Sequence, residues 1–308
     1  MKQDESPIGA VAVAALFTLG DLLLRHPWRY ERGSLIAVGL LTAAGAVLAA
    51  GVLYPLLRWL WCLPFEETLA GRISAGLVAL PVAGYAVVCL YRCCATYVDM
   101  AVELILPGGA SLPPSLLLLL CALLLSCMPL ARLEQFAWPA GCVVLLSVVI
   151  VLAFGFPHFQ MEYLQDETVL PLETGHIWEL CRELIPLGLM ALLFATNRSG
   201  VGKQLAAGIL TGGGLLLLCM LQVILTFGGR YAAELPYPYA YAVRILSVGP
   251  YFFRLEGLSY LPDLLSCLVR GAVCLSLVGR LAHRLIPRLA RVLPPLCAIV
   301  VLLFFCLR

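Results

Sequence analysis

Long apolar runs separated by short polar connectors dominate the chain, and their lengths cluster near the roughly 20 residues that a helix needs to cross a bilayer. Nine such runs are found, over residues 7–24, 34–57, 73–97, 112–130, 136–156, 178–198, 205–227, 258–278 and 294–307. They predict an all-α polytopic membrane protein with about nine transmembrane helices and a single transmembrane domain over residues 1–308. Pro7 marks the start of the first helix with Ser6 as its cap, and the second run is rich in small residues (Ala43, Ala44, Gly45, Ala49, Ala50, Gly51) that allow close helix contact. Residues 228–260 break the pattern, being too polar and too rich in proline to span. Their Tyr231, Tyr237, Tyr239, Tyr241, Tyr251 and Phe252 are expected to lie along the membrane interface.

The sixth run, 178–198, is the least regular. It opens with Glu179, Arg182 and Glu183 and is interrupted by Pro186 and Gly188 in its first half. A proline removes one backbone hydrogen bond and a glycine lowers the cost of unwinding, so this helix has a weak point at bilayer depth. Such a point either borders a polar cavity or is a plain kink packed against neighbours. A counterpart lies in the first run, where Thr18, Gly20 and Asp21 follow one another. A carboxylate inside a membrane is costly, which makes Asp21 a functional candidate, with capping of the helix end or pairing with Arg25 as the other reading. Tyr91, Arg92, Thr96 and Asp99 close the third run, as ligand contacts or as interfacial anchors. Asp263 and Arg270 are seven apart on the eighth run and share a face, where they either pair or serve transport.

Composition agrees with the pattern: 62% of the 308 residues are hydrophobic and 12% charged, against roughly 25% charged in soluble proteins. With mean hydropathy at +0.98 and net charge at +2, there is no basic face for nucleic acid. Thirteen cysteines lie singly in apolar runs, apart from Cys93 and Cys94, and read as small apolar fillers. The mixed start MKQDESP lacks a cleavage signal, so the first span is expected to be retained. The basic stretch with Arg280, His283, Arg284, Arg288 and Arg291 is expected on the cytoplasmic side, which puts Met1 inside and the acidic loop 157–176 outside. The loop with Arg25, Arg29 and Arg32 then falls outside, against the positive-inside rule. The four histidines have no zinc-hydrolase spacing, and Gly200, Gly202 and Lys203 lack the Ser/Thr of a phosphate loop. No enzyme, metal or cofactor is therefore expected.

At residues 235–256 (LPYPYAYAVRILSVGPYFFRLE), Tyr237-Pro238, then Arg244, then Phe252-Phe253 and Arg254-Leu255-Glu256 follow in order. This stretch resembles the endospore germination permeases of the GerAB type, as do the Ser6-Pro7 start, the order of spans and the long acidic loop before the interrupted helix. The resemblance implies membership of the amino acid/polyamine/organocation transporter superfamily. It also implies a LeuT-like inverted-repeat transporter fold, here lacking the last helix because the runs stop at nine, with broken first and sixth helices at its centre. The implied role is the germinant-sensing, permease-like subunit of a spore germination receptor in the inner membrane of the spore, working with a second membrane subunit and a lipoprotein subunit. A small nutrient such as an amino acid would then meet Thr18, Gly20, Asp21, Tyr91, Glu183, Pro186 and Gly188. A proton-coupled amino acid permease and a structural assembly subunit without ligand are the alternatives.

Overall fold

A computed structural model describes residues 7–20, 32–62, 69–105, 109–164, 185–195, 200–232, 234–246 and 256–307. Among these residues every regular element is helical. In chain order they are α1 (Pro7–Leu19), α2 (Arg32–Val47), α3 (Tyr54–Cys62), α4 (Leu69–Met100), α5 (Leu112–Ser126), α6 (Leu130–Gly155), α7 (Pro186–Ala195), α8 (Gly202–Phe227), α9 (Gly229–Ala232), α10 (Pro238–Ile245), α11 (Glu256–Leu285) and α12 (Leu293–Leu307). A π-helical turn, Leu48–Leu53, joins α2 to α3 without leaving the rod, and a second one, Ala101–Ile105, closes α4. Five continuous helical stretches are long and apolar enough to cross a membrane, and four shorter apolar helices accompany them. The protein is a multi-pass membrane protein.

Helices α1 and α11 form the centre. α1 packs on α6, α7, α8 and α11, while α11 also meets α4, α5, α6, α10 and α12. Lipid offers no hydrophobic gain for helix association, so the contacts depend on small residues that let backbones approach. On α8, Gly212 lies so close to α1 that an added Cβ would come within 2.5 Å of the Ala15 carbonyl oxygen, and Gly208 meets Val11 and Ala14 in the same way. Gly213, on the adjoining face, leaves room for Thr42 of α2. At the other end of α1, Gly9 sits against Cβ of Glu134.

Three expectations change. The polar break between the runs 112–130 and 136–156, with Arg132 and Glu134, belongs to α6, which starts at Leu130, and Glu134 is buried against α1 within electrostatic reach of Arg280. The rod of the second run extends past residue 57, with α3 ending at Cys62. Within the aromatic segment, α10 turns Tyr239, Ala242 and Val243 into the bundle against α8 and α11, and of the tyrosines only part of the set faces outward, Tyr231 being exposed. Its i, i+3, i+4 spacing gives one apolar face that an interface-bound helix would turn to lipid and this one turns to protein. Tyr241 on its other side donates to Glu103 Oε1 at 3.4 Å, and partial burial followed by that carboxylate pushes its phenol pKa up. Among the described residues the cysteines form no disulfide, and Cys93 and Cys267 place their thiols 3.9 Å from each other's carbonyl at the α4–α11 contact.

Candidate functional site

Helix α1 has 13 residues, and at about 1.5 Å per residue it covers about 20 Å, short of the roughly 30 Å hydrocarbon core. It stops inside the protein. Gly20 forms the closing turn, its amide donating to the Leu16 carbonyl at 2.9 Å, and Thr18, Leu19 and Gly20 are all buried. Glycine is required here by α11: a Cβ on Gly20 would lie 2.8 Å from the Ser266 carbonyl oxygen. The last carbonyls of a helix have no partner within it and carry partial negative charge, so a buried end must be met by a donor from elsewhere.

Arg270 of α11 supplies that donor. Its Nη1 donates to the Gly20 carbonyl, and its guanidinium lies over the Phe17 ring, 5.2 Å from the centroid. The side chain is 2% exposed. A guanidinium removed from water needs acceptors and π faces to offset its lost hydration, and here the last turn of α1 provides both. One of the two sequence readings of Asp263 and Arg270, that they pair, is not what the fold does: Arg270 reaches α1. They are seven residues apart, about 10 Å along the helix, which leaves each to find its own surroundings.

Asp263, Ser266 and Arg270 follow at i, i+3 and i+7, and all three are buried. Asp263 Oδ1 and Ser266 Oγ have no hydrogen-bond partner among the described residues. Around the carboxylate, within its electrostatic reach, stand Tyr97 of α4, Cys219 of α8 and Tyr239 of α10. Four helices thus converge on one buried acid beside the end of α1.

The second interruption is a helix start. Ile185 is in a turn, and α7 begins at Pro186, with the Gly188 amide donating to the Ile185 carbonyl at 3.0 Å. Proline at the first helical position needs no N–H partner and has the φ a helix requires, which suits Pro186 to the start of α7. Ten residues give α7 a length of about 15 Å, and it is buried along almost its whole length, against α1, α3, α4 and α11. Gly188 has room towards Leu53 of the π turn, its Cβ position lying 3.9 Å from the Leu53 Cδ1.

Of the residues expected from the sequence, Gly20, Pro186 and Gly188 mark the two helix ends. Thr18 sits in the last turn of α1 and donates its hydroxyl to Ala14 at 2.7 Å, with Gly212 packed against it. Tyr91 packs its ring against Phe304 and Phe305 of α12, at centroid distances of 5.7 and 5.6 Å. Asp21 and Glu183 lie outside the described residues. Sequence reasoning had marked Asp263 and Arg270 as intramembrane charges but did not connect either to α1. Tyr239, expected at the interface, instead faces inward, and Ser266 and Cys219 carry no sequence signal, since a hydroxyl or thiol in an apolar run has none until a neighbouring helix is known.

No family model matches the chain, and no curated protein matches it. Among solved structures it is similar to a Na+-coupled sialic acid symporter in a substrate-bound, outward-open state, with a TM-score of 0.66 and 13% identity over 98% of this chain and 72% of that one. At that identity the likeness concerns the fold. The chain has the LeuT-like transporter fold.

Proposed function

We propose that this protein is a permease-type membrane protein that binds a small zwitterionic nutrient, an amino acid in the first instance, where α1 stops and α7 begins. The observation that carries the reading is the termination of α1 at Gly20 in full burial, beside unsatisfied polar atoms of α11. A carboxylate is favoured at the amino end of α7 by the partial positive charge of a helix start, where Pro186 has no N–H and the Gly188 amide already donates to the Ile185 carbonyl. The ammonium is served by Asp263 and Ser266, whose free acceptors are otherwise an uncompensated cost. Asp21, Glu183, Thr18 and Tyr91 belong to the proposed ligand set on the family resemblance.

By that same resemblance the role is germinant sensing in the spore inner membrane, together with a second membrane subunit and a lipoprotein subunit. The symporter's Na+ coupling enters only as a contrast, because the carbonyl end of α1 in this chain is met by a side-chain cation.

A second reading, a proton-coupled permease, is favoured by one observation: Asp263 is a fully enclosed carboxylate with an unpartnered oxygen, the type of group that takes up and releases a proton during transport. Two measurements on the purified protein separate these readings. In a thermal-shift screen against amino acids, nucleosides and sugars, a true ligand at 100 times its dissociation constant adds about 2.7 kcal/mol to stability. In proteoliposomes, a sensor binds that ligand without sustained uptake, whereas a permease accumulates it along an imposed pH gradient and loses this on Asp263→Asn. The absence of any shift from well-behaved protein would sink both and leave the assembly role.

A further inference from the structure

The carbonyl end of an interrupted membrane helix is a natural cation site: its unpaired oxygens and partial negative charge converge where water is scarce. Two features of this chain bear on who occupies that place at the end of α1. Arg270 donates to the Gly20 carbonyl, and the same guanidinium covers Phe17, three residues earlier and therefore on the same face of the last turn. Both contacts reach the last turn of one helix from a single buried side chain of another.

We propose that Arg270 is a built-in cation that holds the end of α1 against α11, so that the break is stable without a bound metal ion. The planar guanidinium suits the role better than an ammonium, since it bonds in its plane and stacks on its face at once. Being covalently tethered, it cannot dissociate during a working cycle, and any movement of α1 away from α11 must first break its hold on Gly20. A nutrient's cationic group is repelled from the same carbonyls and is left to the carboxylate side of the site. The claim concerns the ligand-free protein and stands apart from nutrient binding, so a failed ligand screen does not touch it.

The test is the melting temperature of the purified, ligand-free protein in NaCl, KCl and choline chloride at equal ionic strength. The wild type is expected to melt within about 1 °C in all three, since a site filled by a side chain has no differential affinity to report. Arg270→Ala is expected to melt at least about 4 °C lower in choline chloride. It should recover at least half of that loss when sodium, or guanidinium at sub-denaturing concentration, replaces choline. If the alanine variant does not fold, Arg270→Gln, which keeps two donors and loses the charge, takes its place with the same expected dependence on small cations. A wild type that melts several degrees higher in sodium than in choline overturns the proposal. So does a variant that melts like the wild type, or one that responds to no cation.

Discussion

Helix α8 and the continuous rod formed by α2, the π turn and α3 are about equally apolar, yet 67% of the 18-residue apolar window within Gly202–Phe227 is buried inside the protein against 28% of the one within Val38–Trp59. Hydropathy does not separate the inner helix from the outer one. What does is the use each makes of its glycines. Gly208, Gly212 and Gly213 of α8 stand where α1 and α2 leave no room for a Cβ, whereas Gly51, between α2 and α3, and Gly84 of α4 meet nothing within 4 Å. In lipid, where apolar side chains gain nothing by leaving the solvent, backbone proximity decides which helix is central.

This contrast is open to direct attack. The largest effect is expected from Gly212→Leu, whose Cβ would fall 2.5 Å from the Ala15 oxygen and 2.9 Å from Thr18 Cβ. Overpacking of that kind should cost about 3 kcal/mol or more and drive α1 off α8, visible as loss of a monodisperse peak and of cooperative melting. Gly84→Leu, on the outer side of α4, should stay within about 0.5 kcal/mol of wild type in the same assay. Equal losses from both would show that glycine contact is not what distinguishes inner from outer helices.

A smaller loss, about 1–3 kcal/mol, is expected from Gly20→Ala, because one methyl group must push the Ser266 carbonyl away. That variant should also weaken the ligand-induced thermal shift, since it moves the turn that the proposed site is built on. A Gly20→Ala protein with wild-type melting and ligand response would remove the end of α1 from the functional account. The smallest effect belongs to Tyr241→Phe. Its hydrogen bond to Glu103 is long and open to solvent, so its removal should cost about 0.5 kcal/mol and leave ligand response intact.

Much of the framework could be read in advance because the relevant physics is local. An apolar run has to be helical in a membrane, whatever surrounds it, since its backbone has no other hydrogen-bond partner. Pro7 and Pro186 were informative for the same reason: a missing N–H and a restricted φ act on the residues next to them. Pro186 stands at the first position of α7, directly after Ile185 in a turn. The resemblance built on Tyr237-Pro238 and its neighbours pointed to a transporter fold, and the fold is of that kind. Arg270 shows the limit. Its partner is the carbonyl of Gly20, 250 residues away and offered by a backbone atom that every residue type possesses.

Composition and spacing alone determined that the chain enters the membrane as helices and where two of those helices are weak, because hydrogen bonding and solvation there depend on each segment's own residues. Only the tertiary structure decided that α1 and α11 occupy the centre, that Asp263 is left with an open acceptor, and that Arg270 closes the end of α1. Those outcomes depend on distances between helices, and such distances are set by the Cβ atoms that are absent where the helices cross.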